Sequence, residues 1–289
     1  MTSHGVVGRV RRTLGTRKVG HAGTLDPMAT GVLVLGLGPA TRLLGFLALT
    51  DKTYEATIRL GASTLTDDRE GEVLTTADPD RVSAMTDSEI GMALAGFVGV
   101  IEQRPSSVSA VKVDGKRAYD RVRSGEHVDL PARTVEIASI DVLAIRTNPG
   151  WIDVDVVVSC STGTYIRAIA RDLGERLGLG GHLVSLRRTR VGPFDVANAV
   201  SLEDLELRGR ACVQQLSDVV PACFPIWRVD AGQARAAGSG LRIDYDGPDI
   251  DAPVAMIGPD GTFVAMAVEE AGRARYLAVF APTPAGAGS

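Results

Sequence analysis

The sequence predicts a mixed α/β (α+β) protein closed by a small β-rich module, on three observations. Apolar residues recur at helical spacing in three separate stretches, 3–14, 86–98 and 161–177. Apolar and polar residues alternate over 52–60 and 152–159, and 134–146 also has strand character. After Phe194 the chain turns acidic and breaks into short strand-like runs. At 289 residues and 45% hydrophobic composition, the chain can bury a sizeable core as one large domain, or as a domain plus a small one. No apolar run reaches the length of a membrane span, and the N-terminus has no signal-like pattern. Cys160, Cys212 and Cys223 are odd in number and far apart, so neither a disulfide framework nor a zinc site is expected. That usage fits a reducing cytoplasm.

Ser3–Leu14 reads as a short basic helix, with Val6, Val7, Val10 and Leu14 on one side. A polar, glycine-punctuated loop follows and runs into the apolar stretch Val32–Leu35, a buried strand. Gly36-Leu37-Gly38 is half a dinucleotide fingerprint without its third glycine, which is weak support for a nucleotide cofactor. Thr41–Leu49 reads as a short apolar helix. Lys52–Leu60 places Tyr54, Ala56, Ile58 and Leu60 on one face of a strand. Asp67-Asp68-Arg69-Glu70-Gly71 reads as a solvated turn. Thr86 and Glu89 form a capping box for a helix to Val98. Val108–Val113 reads as a strand and Asp114-Gly115 as a hairpin turn, followed by Lys116, Arg117, Arg121 and Arg123 around Tyr119. Asn148-Pro149-Gly150 joins two strands, and Ser161 opens a helix to Leu177 with Arg167 near its start. An arginine there opposes the helix dipole and calls for an anion. Leu202–Leu207 reads as a helix, Pro221–Pro225 as a linker, and Val254–Ile257, Thr262–Val268 and Ala274–Phe280 as strands.

The formal net charge of −4 argues weakly against a nucleic-acid partner, but the charge is unevenly placed. From Ala197 onward twelve acids face seven arginines, whereas Arg9, Arg11, Arg12, Arg17 and Lys18 precede the first acid and Arg187, Arg188 and Arg190 cluster later. Local patches rather than net charge govern phosphate binding.

The loop before Val32 holds the strongest chemical candidate. Asp26 stands before Pro27, which disfavours helical geometry and leaves the carboxylate on extended chain, with His21 five residues earlier. Taken alone, an Asp before a Pro is most often a turn or cap residue. Gly20 to Leu33, however, resembles the catalytic motif of the TruB family of tRNA pseudouridine synthases, Gly-His-Xaa-Gly-Xaa-Leu-Asp-Pro-Xaa-Ala-Thr-Gly. The resemblance continues in Lys52-Thr53-Tyr54 before Arg59-Leu60-Gly61, and in Pro105–Lys112 with Gly115–Tyr119. It ends in Ser161–Arg167 followed by Leu186-Arg187-Arg188-Thr189, and so spans about residues 2 to 195.

The resemblance implies a pseudouridine synthase fold, with a central mixed, mostly antiparallel sheet flanked by helices. Residues 1–221 are expected as the catalytic domain, 225–281 as a PUA-like module that binds RNA, and 282–289 as a disordered tail. It also implies isomerisation of uridine 55 in the T loop of tRNA, with no cofactor and no metal, by a monomer. Asp26 is the implied catalytic residue, as nucleophile or electrostatic partner, and Arg167 its ion-pair partner, favouring the charged form. Tyr54 is expected to stack on the everted base and is a candidate base for a proton. His21 is expected at the vacated stack, and Arg9, Arg12, Lys18, Lys112, Lys116, Arg117, Arg187 and Arg188 at RNA phosphates. Family members usually carry a strand and an Asp-Lys-Pro-Xaa-Gly turn before the Thr2-Ser3-His4 position, so the expected start lies upstream of Met1. The alternatives are a synthase for another RNA and an RNA-binding, tRNA-folding protein. A carboxylate-pair glycosidase would need a second positioned acid, and the sequence pairs none with Asp26.

Overall fold

The computed structural model describes residues 1–106 and 130–280, together with the backbone of 112–113 and 116–117. In chain order the strands are β1 (Val19–Ala22), β2 (Thr30–Gly31), β3 (Val34–Leu37), β4 (Lys52–Leu60), β5 (Ala62–Thr64), β6 (Val73–Thr76), β7 (Gly99–Gln103), β8 (Lys112–Val113) and β9 (Lys116–Arg117). They continue with β10 (Arg133–Asn148), β11 (Trp151–Cys160), β12 (Gly181–Val191), β13 (Phe194–Asp195), β14 (Ile226–Arg228), β15 (Val254–Ile257), β16 (Phe263–Glu270) and β17 (Arg273–Val279). The helices are α1 (Ser3–Leu14), α2 (Leu44–Ala48), α3 (Pro79–Ala84), α4 (Asp87–Ala95), α5 (Ile166–Leu177), α6 (Leu202–Arg208), α7 (Leu216–Cys223) and α8 (Ala231–Gly238).

These elements form two compact units. The first comprises residues 1–3, 23–34 and 48–199, and the second 4–22, 35–47 and everything from Val200. In the second unit the N-terminal helix packs with residues beyond Val200. Within the second unit, Val7, Val10, Leu14 and Val19 form one core, with Leu202 and Leu205 against it. Trp227, Val254, Met256 and Ala265 form another, under the sheet β14-β15-β16-β17.

The first unit is built on a seven-stranded sheet ordered β13-β12-β4-β11-β10-β7, with β2 added alongside β12. Every pairing is antiparallel except β2 with β12, so the sheet is mixed and mostly antiparallel, as expected. Alternation buries one face: Ile58, Leu60, Ile152, Val154, Val156, Val158 and Leu183 are fully buried. α5 covers that face with Ile166, Ile169, Ala170 and Leu173. Each such isoleucine or leucine contributes about 1.5–3 kcal/mol relative to exposure. α5 sits close to β12 because residue 174 is glycine; a Cβ there would stand 2.1 Å from the Gly181 backbone nitrogen.

Local signals and structure agree closely at α1, β4 and the Thr86–Glu89 capping box, whose two reciprocal bonds are both present. Several expectations are corrected. The helix from Thr86 ends at Ala95, with Gly96 as its cap, rather than at Val98. Thr41–Leu49 divides into a 3₁₀ turn over Gly38–Leu43 and the short α2, with Pro39 at the start of the turn. The helix expected from Ser161 starts at Ile166, because the Tyr165 amide donates to the Gln103 side chain, 2.7 Å away, and Tyr165 stays extended. The expected linker Pro221–Pro225 lies largely in α7: fully buried Val220 carries the helix through Pro221 to Cys223. The break comes at Phe224, extended as a residue before proline tends to be. The hairpin Asp114-Gly115, the basic run around Tyr119, and the 282–289 tail lie outside the described residues.

Candidate active site

Asp26 sits on the loop between β1 and β2, and that loop is held from within. The Ser3 hydroxyl accepts from the Leu25 amide at 2.9 Å. Arg188, 1% exposed, reaches in from β12 and donates to the carbonyls of Val32 (2.8 Å), Gly23 (3.2 Å) and Thr24 (3.4 Å). β2 pairs directly with Arg187 and Arg188, and Val32 donates to the Arg188 carbonyl. The approach requires glycine at 31: its φ is +96°, and a Cβ would lie 2.1 Å from that carbonyl oxygen. The Gly-rich motif is thus a backbone ribbon laid against a central strand.

Arg167, in the first turn of α5, meets Asp26 as a fork on a fork. Nε lies 2.9 Å from Oδ2 and Nη2 lies 2.9 Å from Oδ1. Bidentate charge-assisted pairs fix direction as well as charge. Arg167 is 5% exposed, whereas the Asp26 side chain keeps 31% of its surface open. The other arm, Nη1, donates to the Thr66 carbonyl at 2.9 Å and the Ser106 hydroxyl at 3.4 Å. It also faces Asp68 at 3.5 Å. One arginine therefore stands between two carboxylates, one open to the cleft and one sealed.

Tyr54 lies on the buried face of β4, in register with Arg188 of β12. Burial pushes its phenol above the ordinary tyrosine range, against the opposing pull of Arg188, which also hydrogen-bonds it. Lys52, two residues earlier on the same face, is pushed down by burial and by Arg188. Its ammonium donates to the carbonyls of Thr50 (2.7 Å) and Ala48 (3.0 Å). Together with Asp26, Tyr54, Tyr165, Leu186 and Arg133, Lys52 lines a cleft of about 460 Å³. A ligand there would meet one open carboxylate, two aromatic rings and several cations. Among the described residues no cluster of His, Cys, Asp or Glu is arranged to hold a metal ion.

Residues 11–166 match the profile of the TruB family pseudouridylate synthase N-terminal domain. Residues 167–219 match the tRNA pseudouridylate synthase B C-terminal domain, and 224–281 the C-terminal domain of tRNA pseudouridine synthase II. The chain belongs to the TruB family of pseudouridine synthases. TruB enzymes are isomerases acting on uridine in tRNA. The tRNA pseudouridine synthase B of Corynebacterium diphtheriae is 50% identical over 283 residues, covering 98% of this chain and 93% of its own. That of Thermobifida fusca is 51% identical over 284 residues, covering 97% and 94%. Among solved structures, one described as a Cbf5-Nop10-Gar1 complex superposes with a TM-score of 0.74 at 26% identity, over 98% of this chain and 82% of its own. An H/ACA RNP bound to a substrate RNA containing 2′-deoxyuridine shares the fold with a TM-score of 0.73, at 24% identity, over 98% and 83%.

Within this TruB chain, Asp26, Tyr54 and Arg167 come together, drawn from a loop, a strand and a helix far apart in sequence. Arg188 was expected at RNA phosphates. It is instead a buried clamp on the Asp26 loop, its donors turned to backbone carbonyls; Arg187, its neighbour on the strand, faces out. Arg12 and Lys18 are exposed, while Arg9 is already paired with Glu206 at 2.6 Å and with Glu203 at 3.6 Å. These three and half-buried His21 belong to the second unit. The side chains of Lys112, Lys116 and Arg117 lie outside the described residues. The Asp67–Gly71 turn, expected in solvent, buries Asp67 and Asp68 to 8% and 5% exposure, because two arginines of α5 compensate them. Asp68, Tyr165, Leu186, Lys52 and Arg133 went unrecognised as site residues. Two of them left a local trace: Tyr165 directly precedes the helix of Arg167, and Lys52 shares a strand face with Tyr54.

Proposed function

We propose that this chain converts uridine 55 in the T arm of tRNA to pseudouridine, with Asp26 as the catalytic carboxylate. The observation that carries the reading is the Asp26–Arg167 fork beneath a cleft that leaves the carboxylate partly open. The reaction breaks the C1′–N1 bond, turns the uracil and forms a C1′–C5 bond, with C5 losing its proton and N1 gaining one. Its atoms and electrons balance within the nucleotide, so no redox group is needed. The base must leave its stack to reach Asp26, and Tyr54 and Tyr165 offer ring faces for it. Fixed charges in a recess of this kind stabilise charge that develops during bond breaking. We assign Tyr54 to stacking on the everted base, with its phenol a candidate base for a proton. Exposed Arg12, Lys18 and Arg187 are the proposed phosphate contacts. The protein acts as a cytoplasmic monomer without a cofactor.

The test is single-turnover modification of an isolated T-arm stem-loop. Wild type converts one uridine. Asp26→Asn converts none while its RNA dissociation constant stays within about threefold, since an isosteric amide removes charge and not contact area. Turnover by Asp26→Asn, or the need for a guide RNA, overturns the assignment.

A further inference from the structure

Arg167 and Arg171 lie one helical turn apart on α5, and both face the turn between β5 and β6. Consecutive residues of that turn meet them in order: Asp68 faces Arg167 at 3.5 Å and Asp67 faces Arg171 at 3.3 Å. Neither Asp67 nor Arg171 is among the described residues that line the cleft. Arg171 completes it by donating to Asp172 (2.8 Å) and to the Arg104 carbonyl (2.9 Å). Asp67 adopts φ +57°, one of two non-glycine residues with positive φ among the described residues. Asp tolerates that region better than most side chains, yet a strained backbone persists only where its surroundings hold it. The turn is tied down further: the Leu183 amide donates to the Asp67 carbonyl at 3.0 Å, and Leu183 accepts from Arg69 at 2.9 Å. Asp68 receives the Thr66 hydroxyl at 2.6 Å and the Glu70 amide at 3.0 Å. Burial pushes the Asp67 carboxyl up, and the Arg171 charge is the strongest influence holding it down.

We propose that the Arg171–Asp67 pair is a positioning device for the catalytic carboxylate. The inference rests on the reading of Asp26 given above. The pair fixes the turn along α5. The turn carries the Thr66 carbonyl and Asp68, which engage the one Arg167 arm that Asp26 does not use. Held on that side, the guanidinium plane can present its other two donors to Asp26 in one direction only. If the turn slips, the Nη1 partners move, the fork rotates and the carboxylate swings with it. A displacement of about 1 Å at a reacting group can cost on the order of 100-fold in rate. Arg171 and Asp67 are thus positioning residues that act through Arg167.

The test uses the full-length protein and a T-arm stem-loop at saturating concentration. Asp67→Asn keeps the shape and the tolerance for positive φ, and Arg171→Met keeps most of the stem while removing the charge. Each is expected to lower the single-turnover rate about 10- to 100-fold, with RNA affinity within twofold of wild type. The double variant is expected to be no slower than the worse single one, because both remove the same constraint. Arg171→Lys is expected to recover part of the rate, since it restores charge without the fork. A merely structural staple would lower the melting temperature, or the fraction of enzyme that binds RNA, and leave the rate per binding-competent molecule intact. That result, or losses that multiply in the double variant, overturns the proposal. Asp26→Asn is run alongside. If it turns over, the catalytic reading has failed; if it is dead while Asp67→Asn is as fast as wild type, the positioning inference alone has failed.

Discussion

Two hollows of nearly equal size, about 460 and 480 Å³, occur in the two units and are built in opposite ways. The cleft at Asp26 draws on residues more than a hundred positions apart, and its arginines turn inward to backbone carbonyls and carboxylates. The hollow in the C-terminal module is lined mainly by one run, Tyr245–Pro253, with Val268 and Glu269. Its charged lining is Asp249, Asp251 and Glu269, with no lysine or arginine. A polyanion is attracted by the first lining and repelled by the second. Size therefore does not mark the proposed site. What marks it is charge that the fold holds in a fixed direction.

Three perturbations separate the two regions. The largest effect is expected from Arg188→Met. It strips three carbonyls of their donor and frees the Asp26 loop, so we expect about 2–4 kcal/mol of lost stability and a turnover drop on the order of 100-fold, measured by urea unfolding and single-turnover assay. An unchanged rate would mean that the loop holds itself. A middle effect is expected from the thiols. Burial raises both Cys160, in the first core, and Cys223, in the second unit, to about 11. A thiol held protonated by the fold stabilises fully below its unfolded value near 9 and loses that contribution as pH climbs toward 11. Cys160 is 2% exposed, so the lost contribution is about 2–3 kcal/mol. Half-buried Cys223 is partly screened and contributes less. Urea unfolding at pH 8 and pH 11 checks this: Cys160→Ala should flatten the alkaline decline more than Cys223→Ala, and the reverse order would refute it. The smallest effect is expected from Asp249→Asn with Asp251→Asn. Turnover should not change, and tRNA binding should tighten by no more than about twofold through reduced repulsion. A loss of binding would make the acidic hollow part of the RNA site after all.

The sequence carried the local rules far. Helical spacing placed α1 over Ser3–Leu14, alternation placed β4 over Lys52–Leu60, and a Thr–Glu pair at the right separation capped α4. Each depends on neighbours within a few positions, which is the range over which a linear pattern can be read. The motif around Asp26 and the arginine opening α5 were also visible, since an unfavourable charge at a helix start implies a partner.

By itself, then, the sequence named Asp26, Tyr54 and Arg167 as candidates for the chemistry and placed α1, β4 and the cap of α4. The tertiary structure alone decided which charges face inward. Arg187 and Arg188 are adjacent and chemically identical, yet the period of the strand sends one out and buries the other under Gly23 and Val32. Asp67 and Asp68 read as a solvated turn until two arginines from a helix a hundred residues later make their burial tolerable. Burial of a charge depends on a partner, and that partner can lie anywhere in the chain, so no local reading of the sequence can foresee it.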